Sequence, residues 1–483
     1  MTKNDYQTTA AINKHKTYAI IGICCQFVLL LGSLLYYKER MLFSDAPHVL
    51  FRIVNEHKLQ IAENRYGSFI TQLFPLIGSS LHLSIRSLMI LYSASFNLFF
   101  LATSILLTFK YKRYDLVVIL TLYLTLFVSD TYFWTNNEVH QGITWLMITI
   151  AVNQYMVDKL RPKIITVIVF VALATLSIWT HPLVMLAALF LWFFYFIDRG
   201  VRMFSNTEII IYSILLLALS YMKFYQGMHH GYDSGKIEIV TQLNTDGLKH
   251  IFSSAQLSSF IKHCITNYWI LIILTSTGII AMLRGKKYLL TVYTIIAVCG
   301  YLLLICITYR DVKDWLFYME SEYMPLSIIC CVPFVYFVLP QLKQQHAIIL
   351  LVSIFCIRLG YIQHSSKQFT LRANIIEQIN ERMKIKGITK AIITNIDEVT
   401  NQQLIMNWGA PVESILSSKL NGERPQRTFI FADSAMLKVF NTNSKDTLLS
   451  CFEKTPDKGI NSRYFIIDTS ANYTTLTYSE LIK

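Results

Sequence analysis

Asp45 stands in Phe43-Ser44-Asp45-Ala46-Pro47-His48, a few residues past the first long apolar run of the chain. A carboxylate at that place can take a proton from a hydroxyl whose partner is carried at the level of lipid headgroups. The same residues also suit a helix start, because Ser or Asp ahead of a first-turn Pro is a common cap. A second carboxylate, Glu138, lies in Thr135-Asn136-Asn137-Glu138-Val139-His140-Gln141. Two residues apart on a helix, Glu138 and His140 do not share a face. The pair lacks the i, i+4 spacing of helical metal ligands. Near Asp45 in space, Glu138 is read as helping to bind an acceptor or a metal, and His140 as contacting a phosphate. His181, in Thr180-His181-Pro182, marks a turn between two apolar runs, with Pro182 suited to the first turn of the next helix. Guanidinium groups meet phosphate oxygens through two parallel hydrogen bonds, which makes Arg52, Arg65 and Arg310 the candidates for holding a lipid phosphate. His229-His230-Gly231-Tyr232-Asp233 resembles half of a metal site, and no second half is spaced to complete it.

These residues need elements to hold them, and composition says which. Of 483 residues 54% are hydrophobic and 15% charged, against roughly 25% charged in an average soluble protein. A wholly soluble protein is excluded. An aromatic share of 13% likewise excludes disordered, collagen-like and coiled-coil chains. The net charge of +13 raises nucleic acid as a partner, so its distribution decides. From Lys367 to Lys483 there are 15 Lys/Arg against 12 Asp/Glu, leaving 28 against 18 before them. The excess sits in short loops beside apolar runs, as the positive-inside rule expects, and nucleic acid is not a partner. Seven of the nine cysteines lie in apolar runs, where a thiol is a small hydrophobe, so no disulfide is expected.

Runs long enough for a hydrocarbon core of about 30 Å begin near Tyr18, Leu83, Leu116, Ile143, Ile164, Leu183, Ile209, Tyr268, Leu289, Met324 and Ala347. The fold class expected is an α-helical polytopic membrane protein of about eleven crossings. Alternate loops carry Lys110, Lys112 and Arg113, then Lys159, Arg161 and Lys163, then Arg199 and Arg202, then Arg284, Lys286 and Lys287, then Lys343. Loops 130–140 and 180–181 hold no Lys or Arg. This asymmetry predicts a cytoplasmic N-terminus and a C-terminal part delivered outside. Segments 38–82, 223–267 and the tail from 365 are then the long outer parts. The first carries two amphipathic stretches, 46–59 and 66–77. The tail alternates a helix over 373–386 with strands over 391–396, 428–432 and 464–468, which reads as a small α/β domain over 365–483 beside a membrane domain over 1–364.

An N-terminal crossing, an early aspartate in a first outer loop with two interfacial helices, many further crossings and a C-terminal outer domain together resemble the GT-C superfamily of integral-membrane glycosyltransferases. Asp45 matches its first-loop aspartate, Glu138 its second-loop acidic residue, and Tyr323-Met324-Pro325 its late Tyr-x-x-Pro-like motif. The chain departs from the family in having Glu322 where related enzymes often have arginine, and no W-W-D-type motif in the tail. The lack of a carboxy-terminal retrieval signal leads to the expectation of a bacterial inner membrane, and the resemblance implies an inverting transferase. Its donor would be a polyprenyl-phosphate-linked sugar and its acceptor is open. Asp45 would be the base, helped by Glu138, with Arg52, Arg65, His140, His181, Arg310 and Tyr323 on the donor phosphate or substrate. No resident cofactor or metal is expected, since phosphate is already a good leaving group. A surface-polysaccharide polymerase or ligase using His229 and His230 in the 223–267 loop is the alternative. A transporter, with Arg358 as its mid-span charge, comes third.

Overall fold

A computed structural model describes residues 3–159, 163–199, 206–229, 234–241, 255–309, 315–432, 445–451 and 454–483. The chain enters through α1 (Lys3–Leu35) and α2 (Tyr37–Met41), then lays down α3 (Asp45–Glu56) and α4 (Phe69–Ser80). There follow α5 (Ile85–Phe109), α6 (Tyr114–Leu126), α7 (Glu138–Lys159), α8 (Lys163–Ile178), α9 (Pro182–Arg199), α10 (Asn206–His229) and α11 (Ser234–Thr241). Next come α12 (Ala255–Thr266), α13 (Trp269–Arg284), α14 (Tyr288–Thr308), α15 (Leu316–Pro333) and α16 (Gln344–Ile385). All eleven expected apolar runs fall on helices. Among the described residues six helical stretches are long and apolar enough to cross a membrane, and α12 with α13 forms one more if that pair, bent by 89°, is a single span. Large apolar side chains such as Ile168, Ile214 and Ile296 are 60%, 59% and 63% exposed, the outward face that a lipid environment accepts and water does not.

The run at Leu116 forms a helix too short to cross alone: the 13 residues of α6 span about 20 Å at 1.5 Å per residue. Every residue from Leu116 to Leu126 is buried, and the chain then continues irregularly to Glu138. Irregular backbone inside a bundle requires protein partners for its polar groups. Arg358 supplies them. Its Nε donates to the Thr125 carbonyl at 2.9 Å, and its Nη2 to the Val128 carbonyl at 3.1 Å and to Ser129 Oγ at 3.0 Å. Glu320 accepts from the Thr131 N–H at 2.6 Å and its Oγ1 at 2.8 Å. Arg358, the mid-span charge that a transporter would use, thus holds an unwound segment of backbone.

The tail begins without a break. α16 runs through residues 364 and 365 for 42 residues, about 63 Å, twice the hydrocarbon thickness. Its far half, through Ile375, Ile376, Ile379 and Met383, packs on the sheet residues Ala391, Ile393, Phe429 and Phe431. The sheet has three parallel strands, β1 (Lys390–Thr394) between β2 (Thr428–Phe431) and a last strand at Thr474–Thr477, with Ile392 opposite Ile430 and Thr475. Helices α17 (Glu398–Gln403) and α18 (Ala410–Leu420) cross from β1 to β2. The strand expected over 464–468 does not form. Tyr464, Phe465 and Ile467 bury instead in the core shared with the helical bundle. Phe465 lies against Phe51 at 5.3 Å between ring centroids, and the Tyr464 hydroxyl donates to the Ser79 carbonyl at 3.2 Å. These side chains pack against α3 and α4, not into a sheet.

Candidate functional site

Where α3 and α4, the irregular stretch before α7, the α8–α9 turn and the tail meet, the chain encloses a cavity of about 890 Å³. Asp45 opens α3 and faces it. The capping alternative does not describe Ser44, whose side chain makes no cap bond. Its Oγ donates instead to Asp45 Oδ2 at 3.2 Å, and Trp134 Nε1 donates to the same oxygen at 2.9 Å. Both bonds end on Oδ2, and among the described residues no hydrogen bond falls on Oδ1.

The backbone before Asp45 is held from the tail. Ser44 has φ 59°, a left-handed conformation that costs a non-glycine residue energy unless its surroundings impose it. They do: its N–H donates to Glu413 Oε1 at 3.2 Å. Glu413 in turn accepts from Arg372 Nη2 at 2.9 and 2.7 Å through its two oxygens. Arg372 also donates to the carbonyls of Leu42, Leu404 and Met406. The pair is 1% and 0% exposed. A side chain at Gly409 would put its Cβ 2.5 Å from Glu413 Oε1 and 3.3 Å from the Ser44 carbonyl, so only glycine allows this approach.

Glu138, at the start of α7, is bound by Arg65 Nη1 at 2.8 Å, the two side chains 22% and 15% exposed. The Arg65 loop is pressed onto the α8–α9 turn. A Cβ on Gly67 would lie 2.0 Å from Thr180 Oγ1, and Trp145 Nε1 donates to the Gly67 carbonyl at 3.0 Å. His181 joins the cavity from that turn. Its Nδ1 accepts from the Leu183 N–H at 3.2 Å, which leaves the proton of a neutral ring on Nε2. Burial, then the charges of Arg65, Lys236 and Lys223, hold this imidazole well below its usual range.

Of the residues singled out in sequence, Asp45, Glu138, Arg52, Arg65 and His181 line this one cavity. Arg52 is engaged by Glu56 at 2.7 Å. His140 is not among them: it is buried between the rings of Phe100 and Tyr123, at 6.0 and 5.5 Å, and borders a separate small hollow with Arg40. Tyr323 is also a core residue, stacked on Phe260 at 4.2 Å. A helix face that reads as polar or amphipathic in sequence has here turned inward. Arg310 and His230 lie outside the described residues, and His229 ends α10 with its ring on Tyr225 at 4.4 Å, away from the cavity lining. Sequence reasoning missed Trp134, Lys236, Glu322, Met406 and Trp408, which all line it. Only Glu322, noted as a departure from a motif, left any trace in the sequence. Among the described residues no three His, Cys, Asp or Glu side chains group as a metal set.

Chemically, the cavity offers a tethered carboxylate with one open oxygen, a carboxylate–guanidinium pair, a neutral imidazole and several aromatic faces. Comparison with family models, curated proteins and solved structures finds no match for the chain.

Proposed function

We propose that the chain is an inverting membrane glycosyltransferase of GT-C type that moves a sugar from a polyprenyl-phosphate donor to an acceptor hydroxyl. The observation that carries this reading is the Asp45 carboxylate, tied through Oδ2 by Trp134 and Ser44 in a cavity large enough for a sugar and its acceptor. A ligand cavity of several hundred Å³ with a few convergent polar groups is the usual form of a small-molecule site. The acceptor oxygen attacks the anomeric carbon while its proton passes to Asp45 Oδ1. The bond from that carbon to the phosphate oxygen breaks, and polyprenyl phosphate leaves as an anion whose charge nearby cations stabilise. Glu138, fixed by Arg65, binds the acceptor hydroxyls. The wider reading comprises eleven crossings, a cytoplasmic N-terminus, a periplasmic tail and a bacterial inner membrane, supported by the basic loops at alternate turns.

Asp45→Asn keeps the shape and both hydrogen-bonded neighbours of the carboxylate but cannot accept a proton. The purified variant should fold as the wild type and lose transfer from a polyprenyl-phosphate sugar by 10²-fold or more, the usual scale of a general base. Wild-type turnover by this variant would discard the assignment.

A further inference from the structure

The large cavity adjoins a second hollow of about 120 Å³ set between α9, α10, α11 and α14. His181, Leu183, Lys236 and Tyr309 line both, so the two lie on either side of these side chains. Away from that junction the walls are Leu186, Phe224, Ile237, Leu304 and Ile305. α11 is seated there by local packing: Ile239 lies against Cys306 and Ile307 of α14, and a Cβ on Gly227 of α10 would fall 2.5 Å from Ile237 Cδ1.

Two ammonium groups border this apolar hollow. Lys223 sits six residues before the end of α10, about 9 Å inside it at 1.5 Å per residue. It is 5% exposed, with its ammonium 5.7 Å from the centre of the Trp179 ring. Lys236 lies over Tyr309 at 5.4 Å. An ionisable side chain so deep in an apolar helix is costly to bury, which makes its surroundings a candidate binding site. Both lysines border the hollow itself, whereas Arg52 and Arg65 line only the large cavity. His181, kept neutral first by burial and then by the neighbouring cations, adds its Nε2–H as a further donor for an anion.

An apolar channel with cations at its wet end is complementary to an amphiphile with an anionic head and one apolar chain. We propose that Lys223 and Lys236 hold the phosphate of a single-chain polyprenyl phosphate, with the start of its chain in the α9–α10–α11–α14 hollow and its sugar in the large cavity. The choice of a polyprenyl chain rests on the glycosyltransferase reading; the anion-and-chain site does not. It also assigns the leaving phosphate to lysines of α10 and α11, not to arginines of the first loop.

The full-length protein in nanodiscs of zwitterionic lipid should bind a polyprenyl monophosphate, followed by native mass spectrometry. Lys223→Met and Lys236→Met should each weaken it at least tenfold and the double variant further, while Leu186→Trp, which fills the hollow, should weaken it without removing a charge. Polyprenol of the same length and inorganic phosphate should both bind at least tenfold more weakly than the lipid phosphate. Inorganic phosphate binding as tightly would make this a site for free anions, and polyprenol binding as tightly would remove the lysines' role; either overturns the proposal. If Lys223→Met does not fold, Lys236→Met on the short α11 decides alone, and its wild-type affinity is likewise fatal. Asp45→Asn should bind the lipid phosphate normally. Lost turnover in that variant with undiminished binding in the lysine double variant would sink the lysine site and leave the transferase standing. Lysine-dependent binding with a fully active Asp45→Asn would do the reverse.

Discussion

At Asp45 the decisive partner is a residue 89 positions away. A carboxylate on the surface of a loop samples several rotamers, whereas one oxygen pinned by the Trp134 indole N–H at 2.9 Å presents the other in one direction. Trp134→Phe removes the N–H and keeps most of the ring, which rests edge-on against Phe317 and Tyr318 at 5.0 and 5.6 Å. Turnover should fall about tenfold, on the order of 1.4 kcal/mol, the scale of one hydrogen bond to a charged group, with KM for the donor unchanged. Steady-state kinetics checks this, and an unaltered kcat would remove the orienting role. Asp45 stood out in sequence because charge is rare beside an apolar run. Trp134 did not, because an aromatic residue next to Tyr132 and Phe133 reads as core or interface.

Between elements, the Arg372–Glu413 pair joins α16 and α18 of the tail to the turn that precedes α3. Removing one partner of a buried ion pair strands the other charge and costs about 3–5 kcal/mol, whereas replacing both by apolar groups costs far less. Glu413→Gln should therefore destabilise the protein by about that amount, and Arg372→Met with Glu413→Leu by less than either single change. Thermal unfolding in detergent measures both, and additive losses would show that the two do not act as a pair. The tail read in sequence as a separate domain is thus part of the site's frame. Its helix at 373–386 was legible from an apolar period of 3.6, but the continuity of that helix with the last crossing was not, since Ser365, Ser366 and Lys367 read as a polar break. The apolar run over 464–468 failed as a strand for a related reason. A short apolar run signals burial, not whether a sheet or a pair of helices buries it.

Across the whole molecule, the proposed orientation rests on where lysine and arginine fall, and the reporter test is direct. A reporter enzyme that works only outside the cytoplasm should be active when fused after Lys483 and inactive when fused after Lys112; the opposite pattern would invert the topology. Membrane character and the positions of the apolar helices were determined by the sequence alone. Hydrophobicity adds up along a local stretch, and a run of some twenty apolar residues has one low-energy environment whatever its neighbours do. What only the tertiary structure decided was which polar residues share a cavity. Contacts between residues 44 and 413, 45 and 134, or 65 and 138 depend on helix packing over separations of 369, 89 and 73 residues. The same packing turned His140 and Tyr323 into the core and brought Lys236 and Trp408 to the cavity wall, because burial of a side chain is set by the elements packed against it and not by its own polarity.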